Sequence, residues 1–268
     1  MVFKIYLDPG HGGSDPGASG NGIEEKNITL DIALRIRDIL LDEYEGVEVK
    51  LSRATDTYIG LETRTDEANT WGADYFLSIH CNSFNGSAHG YEDYIYIGLS
   101  DASSTAKYQD IIHEEVASIN QLTERGTKKA DFHVLRESSM PALLTENGYI
   151  DNDHDAALMK KSSWRQSVAR GHVNGLARAF HLKRKTKTER LYKVLAGSFK
   201  SRKNAQTRVT FLQSKGIDAM INRENLSDHL WYRVQAGAFR SKENAKALLV
   251  QVKRTGIADA YISEENGQ

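Results

Sequence analysis

Two periods of apolar residues alternate along the first two thirds of the chain. Short apolar runs of strand length occupy 2–8, 47–52, 74–80, 132–136 and 141–146. Between them, apolar residues recur at helical spacing over 28–43, 61–71, 103–120 and 155–180. Strands interleaved with helices predict an α/β domain with a mainly parallel sheet flanked by helices. Ligands in such domains sit beyond the carboxyl ends of the strands, so the polar residues that follow each run are the first places to look for chemistry.

After residue 190 the pattern changes and repeats itself. "LYKVLAGSFKSRKNA" at 191–205 and "WYRVQAGAFRSKENA" at 231–245 align, and the match extends to Gly216-Ile217 and Gly256-Ile257. Tyr192, Val194 and Ala196, like Tyr232, Val234 and Ala236, alternate with other residues as a strand with one buried face requires. Ser201 and Ser241 stand where helix N-caps belong, and Gly216 and Gly256 where those helices should stop. Two strand–helix–strand units predict a small α+β (βαβ-βαβ) domain, an antiparallel sheet backed by two helices.

Charge separates the same two regions. Residues 1–182 hold 17 Lys+Arg against 28 Asp+Glu, net −11, and residues 183–268 hold 18 against 8, net +10. "KRKTKTER" at 183–190 lacks apolar residues and repels itself, so it is expected to be an extended linker. The expected organisation is a domain over 1–182, a linker over 183–190 and a second domain over 191–268. No export signal and no membrane-spanning run stands out, and the single cysteine, Cys81, excludes an intramolecular disulfide. Synthesis in the cytoplasm is expected, with no membrane partner.

The first strand end reads "LDPGHGGSDPG". A dinucleotide loop needs a third glycine where Asp15 stands, and a phosphate loop needs Gly-Lys-Ser/Thr, which is absent. That leaves His11 on a turn. A second histidine, His80, closes the run "FLSIHCNS", and Glu25 lies where the first long helix begins. Two imidazoles and one carboxylate form the ligand set of many hydrolytic zinc sites. Glu146, at the end of "PALLTE", is then available as acid–base partner for an activated water. The neighbouring Glu24 is expected only to offset the helix dipole.

The set "LDPGHGG", "GIEEKN", "LETRTDEANTWGADYFLSIHCNS" and "MPALLTENGYIDN", in that order, resembles the zinc-dependent N-acetylmuramoyl-L-alanine amidases of the amidase-3 type. The resemblance implies Zn2+ on His11, Glu25 and His80 and a catalytic Glu146. The bond it implies is the amide joining the muramic lactyl group to L-alanine in peptidoglycan. The repeat with its A-G-S/A-F motif resembles the SPOR domain over 190–265, which implies binding to glycan strands stripped of stem peptides. RNA-binding modules share that layout, but "YKVLAGSF" and "YRVQAGAF" do not fit their aromatic strand motif, so no nucleic-acid partner is expected. Two rival readings keep the fold: a wall-binding protein without turnover, and a zinc carboxypeptidase or deacetylase acting on another bond. With the substrate outside the membrane, action after lysis is expected, from either a phage endolysin or a mother-cell autolysin.

The remaining candidates carry weaker expectations. Cys81 cannot pair with His80 as a nucleophile, because neighbours on a strand face opposite ways. His113, His154, His172 and His181 lack ligand spacing and are expected at the surface. His133 either lines the groove or packs at its rim, and Arg136 either contacts substrate or forms a salt bridge.

Overall fold

A computed structural model describes residues 2–185, 190–226 and 229–266. Its first part runs β1 (Phe3–Pro9), β2 (Ser19–Gly20), β3 (Ile23–Glu24), α1 (Glu25–Glu43), β4 (Val47–Leu51), α2 (Leu61–Trp71) and β5 (Tyr75–Asn82). It continues with β6 (Tyr91–Tyr96), α3 (Ser104–Ala117), β7 (Glu124–Ala130), α4 (His133–Arg136), β8 (Ala142–Tyr149), α5 (Asp153–Met159) and α6 (Ser162–Ala179). Six strands form one sheet in the order β4-β1-β5-β8-β6-β7. The first four are mutually parallel, β6 joins β8 antiparallel, and β7 runs parallel to β6.

Alternation along the strands divides this sheet into two faces. Ile5, Leu7, Leu77, Ile79 and Leu143 pack with Ile32 and Ile36 of α1 and Val168, Val173 and Leu176 of α6. Tyr6, Phe76 and Leu144 face the other way, against Ala68 of α2 and Val134 and Leu135 of α4. The mainly parallel α/β sheet expected from the periodicity is therefore present, with helices on both sides.

The second part contains β9 (Arg190–Phe199), α7 (Arg202–Ser214), β10 (Met220–Leu226), β11 (His229–Phe239), α8 (Lys242–Arg254) and β12 (Tyr261–Asn266). Its antiparallel sheet has the order β10-β11-β9-β12 and a separate core in which Val194, Ala196 and Val234 meet Ala205, Leu212 and Val252. Ser241 caps α8 by accepting from the Asn244 N–H, while Ser201 holds the cap position of α7 without a side-chain bond. The two units part between residues 185 and 186. Of the expected linker, 186–189 lie outside the described residues. Residues 183–185 belong with the first unit, where the Glu45 N–H donates to the Lys183 carbonyl (2.8 Å) and the Lys185 N–H to that of Glu43 (2.7 Å).

Several expectations are corrected. Residues 132–136 are not a strand: His133–Arg136 is a helical turn, in which the Arg136 N–H donates to the Phe132 carbonyl (3.0 Å) and Val134 and Leu135 are buried. The helical pattern of 155–180 is two helices, broken at Lys160 and Lys161. Strands β6 and β7 escaped the pattern because charge hides them. Glu92 and Asp93 are buried in β6, whereas β7, at the sheet edge, is lysine-rich as edge strands often are. Two histidines expected at the surface are interior. His113 lies between Asp93 (2.7 Å) and Glu124 (3.2 Å), and His172 is fully buried beneath β8. His154 and His181 are exposed.

Candidate metal centre and active site

Strands β1, β5 and β8 lie side by side and point the same way, so their carboxyl ends share one edge. His80 and Glu146 are register partners across β5 and β8, and Glu92 is the partner of Glu146 across β6 and β8. His11 follows β1 in left-handed conformation (φ 61°), a geometry that costs a residue with a Cβ and persists only where the surroundings fix it. Two buried arginines do the fixing. Arg64 donates to the carbonyls of Pro9 and His11 (both 2.9 Å), and Arg53 donates to those of Pro9 (3.1 Å) and Gly10 (2.8 Å). Arg64 is itself anchored on Asp8 (2.5 Å), a buried carboxylate that also accepts from Ser52 (2.7 Å) and Ser78 (2.8 Å). Burial alone would raise the Asp8 pKa; Arg64 and the Ser52 hydroxyl outweigh it and hold the carboxyl below its ordinary range.

Helix α1 begins at Glu25, which brings that carboxylate to the helix's positive end and into the turn. Glu25 accepts from the Ala18 N–H (2.8 Å) and the Cys81 N–H (2.9 Å). It also meets His11 Nε2 at 3.1 Å and His80 Nδ1 at 2.9 Å. Burial opposes its charge, but the bonds from both histidines prevail and its pKa falls far below the carboxylate range. The other ring nitrogen of His11 faces Asp15 at 2.8 Å. Burial works against a charged His11; Glu25 and then Asp15 overcome it, and the imidazole pKa is raised. His11, Glu25 and His80 each offer a donor atom within 4.8 Å of the others. Glu24 makes no side-chain cap; it accepts from Asn27 Nδ2 (3.2 Å).

Gly10 and Gly17 leave room for this cluster. A Cβ at Gly10 would lie 2.3 Å from the His80 ring, and one at Gly17 2.5 Å from the Glu25 carboxylate and 2.6 Å from His11. Both glycines are needed because backbone passes where side-chain atoms of the cluster already stand.

His11, His80 and Glu146 open onto one cavity of about 480 Å³, bounded also by Tyr58, Phe132 and His133. Burial, followed by the nearby charges of Glu25 and Glu92, raises the Glu146 pKa well above the ordinary carboxylate value. Its Oε2 is buried without a hydrogen-bond partner. Glu92 stays ionised despite burial, with its pKa down to about 2, because Lys128 (2.5 Å), Arg125 (2.7 Å) and the Tyr94 hydroxyl (2.7 Å) converge on it.

The three residues picked from strand ends, His11, His80 and Glu146, and Glu25 from the start of α1 thus meet at one sheet edge. Cys81 is buried on the face opposite His80, and its thiol pKa is pushed up by burial and then by Glu25. Arg136 pairs with Asp131 (2.6 Å) and Glu137 (2.8 Å) at the surface. Arg53, Arg64 and Glu92 were not found from sequence, since their partners are backbone carbonyls and residues remote in the chain.

The family model described as N-acetylmuramoyl-L-alanine amidase matches residues 5–178, and the SPOR domain model matches 188–263. The sporulation-specific N-acetylmuramoyl-L-alanine amidase of Bacillus subtilis is 54% identical over 220 residues, 82% of this chain and 84% of that one. The endolysin of Bacillus phage SPP1 is 44% identical over 189 residues, 69% of each chain. Among solved structures, the catalytic domain of the amidase CwlV from Bacillus (Paenibacillus) polymyxa is 32% identical with a TM-score of 0.64, covering 68% of this chain and 100% of that one. The chain belongs to the N-acetylmuramoyl-L-alanine amidase family, with a SPOR domain following its amidase unit.

Proposed function

We propose that this peptidoglycan amidase works with a zinc ion held by His11, Glu25 and His80 and with Glu146 as its general base. The observation that carries this reading is the pairing, in one cavity, of a compact His/Glu/His donor set with a buried glutamate oxygen that has no protein partner. The donor set fits zinc by its chemistry. Two imidazoles and a carboxylate are one of the catalytic zinc triads, and the close contacts Glu25 makes with both histidines are those a cation would replace on binding. Zinc there supplies Lewis acidity, which lowers the pKa of water and offsets negative charge developing on a carbonyl oxygen.

The chain's own residues do the rest. Glu146 takes the proton of the attacking water on its carboxylate and returns it to the departing alanine nitrogen, so that no covalent enzyme intermediate forms. A site that raises its proton affinity suits that double duty, because the proton must be held between the two steps. Asp15 orients the His11 ring through Nδ1, the usual service of a carboxylate behind a histidine ligand. Arg53 and Arg64 fix the backbone on which His11 stands.

On this reading the SPOR unit holds the enzyme on strands already bared of stem peptides, and its positive charge adds attraction to an anionic wall. The sporulation-specific and phage relatives favour action at cell lysis. Digestion of purified sacculi tests the bond. New L-alanine amino termini with no new reducing ends are expected. Released D-alanine would mean a carboxypeptidase, released acetate a deacetylase, and no product at all a binding protein.

A further inference from the structure

Among the described residues, seven buried side-chain polar atoms lack a hydrogen-bond partner, and two of them belong to residues lining the same cavity. One is Glu146 Oε2, accounted for above. The other is Nε2 of His133, which the amidase reading leaves without a task. A buried polar atom without a partner is costly and uncommon, so two beside one metal-ligand cluster mark a cavity arranged for a polar occupant. The two atoms are also complementary. An ionised Glu146 only accepts, whereas an imidazole N–H donates, and an amide offers an N–H to the first and a carbonyl to the second.

His133 owes its place to the fold. It is the first residue of α4, the short turn that caps the cavity face of the sheet, and Val134 and Leu135, both nearly fully buried, fix that turn against Tyr6, Phe76 and Leu144. Phe132, packed edge-on to Tyr94 at 5.3 Å, anchors the residue before it. The imidazole is therefore presented on a short, packed segment, which is how a binding group keeps its aim.

We propose that His133 is a substrate-binding residue whose Nε2–H donates to a carbonyl oxygen of the muramoyl–alanyl unit in the cavity. This deepens the function proposed above and rests on it. The hydrogen bond would form when substrate binds and persist through the reaction, so it belongs to uniform binding and its loss should raise KM with little change in kcat.

The test uses the full chain loaded with zinc, with muramyl dipeptide as substrate. His133→Phe keeps a ring of similar volume and removes the donor; His133→Gln keeps an N–H near the position of Nε2. KM is expected to rise roughly tenfold in His133→Phe, the loss of about one net hydrogen bond, and to recover most of the way in His133→Gln. His133→Phe is also expected to unfold at a higher temperature, because it removes a buried unpartnered atom. A purely structural histidine would give the opposite stability change and no KM effect. An unchanged KM in His133→Phe, or His133→Gln no better than His133→Phe, overturns the proposal. A second measurement separates it from the amidase reading: muramyl dipeptide binding to the metal-depleted protein, followed by calorimetry, should weaken by the same factor in His133→Phe even if wild type released no alanyl dipeptide.

Discussion

His172, expected at the surface and found fully buried in α6, makes acid stability a sharp test of the interior. Its Nδ1 donates to the Val168 carbonyl at 2.8 Å, which leaves Nε2 bare to accept from the Thr145 hydroxyl at 3.2 Å. Asn147 Nδ2 in turn donates to Thr145 Oγ1 at 3.1 Å. No carboxylate is among the bonded partners of this ring, and burial drives its pKa from 6.5 down to about 4. The unfolded chain takes up a proton below about pH 6.5 while the fold refuses it until about pH 4, so stability is intact above the upper value and falls as pH drops through the window. A tenfold change in protonation is worth about 1.4 kcal/mol, so the loss reaches about 2 kcal/mol at about pH 5 and about 3 kcal/mol at about pH 4. Urea unfolding at about pH 8 and about pH 5 measures it. A Trp231→Phe background leaves Trp71 and Trp164 of the amidase unit as the fluorescent reporters. Other titrating groups are common to both proteins, so the difference between wild type and His172→Gln isolates this ring. Wild type should lose about 2 kcal/mol more than His172→Gln between the two pH values. Equal losses would refute the argument that His172 is kept neutral.

Three further outcomes follow from the site. His80→Ala should lose most of the roughly one zinc per chain expected of the wild type, as metal analysis after dialysis would show; full retention would remove the ligand assignment. Glu146→Gln should keep its zinc and lose turnover by roughly 10²–10⁴, and turnover within a few-fold of wild type would mean that another base acts. Asp8→Asn leaves Arg64 buried without its charge partner and should cost about 3–5 kcal/mol in urea unfolding; a cost below about 1 kcal/mol would mean that the carbonyls of Ile59, Pro9 and His11 suffice to hold the guanidinium.

What could be read from the sequence follows from how each element hides its face. Strands β1, β5 and β8 are buried on both sides, so they appear as apolar runs, and their closing polar residues stand out as His80, Glu146 and the turn bearing His11. The repeat betrayed the second unit because each copy carries the same strand motif, a serine at the helix start and a glycine at its end. Strand β6 was invisible because its Glu92 and Asp93 are neutralised by partners far away in sequence, Lys128 and Arg125 for one, Gln109 and His113 for the other. Nothing local announces such pairs. His172 was legible in principle, since Val168, His172 and Leu176 are four apart on one helical face and both neighbours are core residues.

The two faces of the sheet explain why the Glu146 carboxyl and the buried ring of His172 can lie against neighbouring residues of one strand without sharing a titration. On β8, Leu144 and Glu146 face the cavity, while Leu143 and Thr145 face the helices, where Thr145 meets His172. On β5 the same period sends His80 to the cavity and Cys81 into the core, with only the Cys81 N–H reaching Glu25. The alternation that buries the hydrophobic side of each strand is thus what delivers every second residue to the chemistry. A slip of β5 by one residue against β8 would leave Glu146 at the cavity but turn His80 into the apolar core and bring Cys81 out in its place. The imidazole would find no charge partner there, so burial of the hydrophobic face and assembly of the site select the same register.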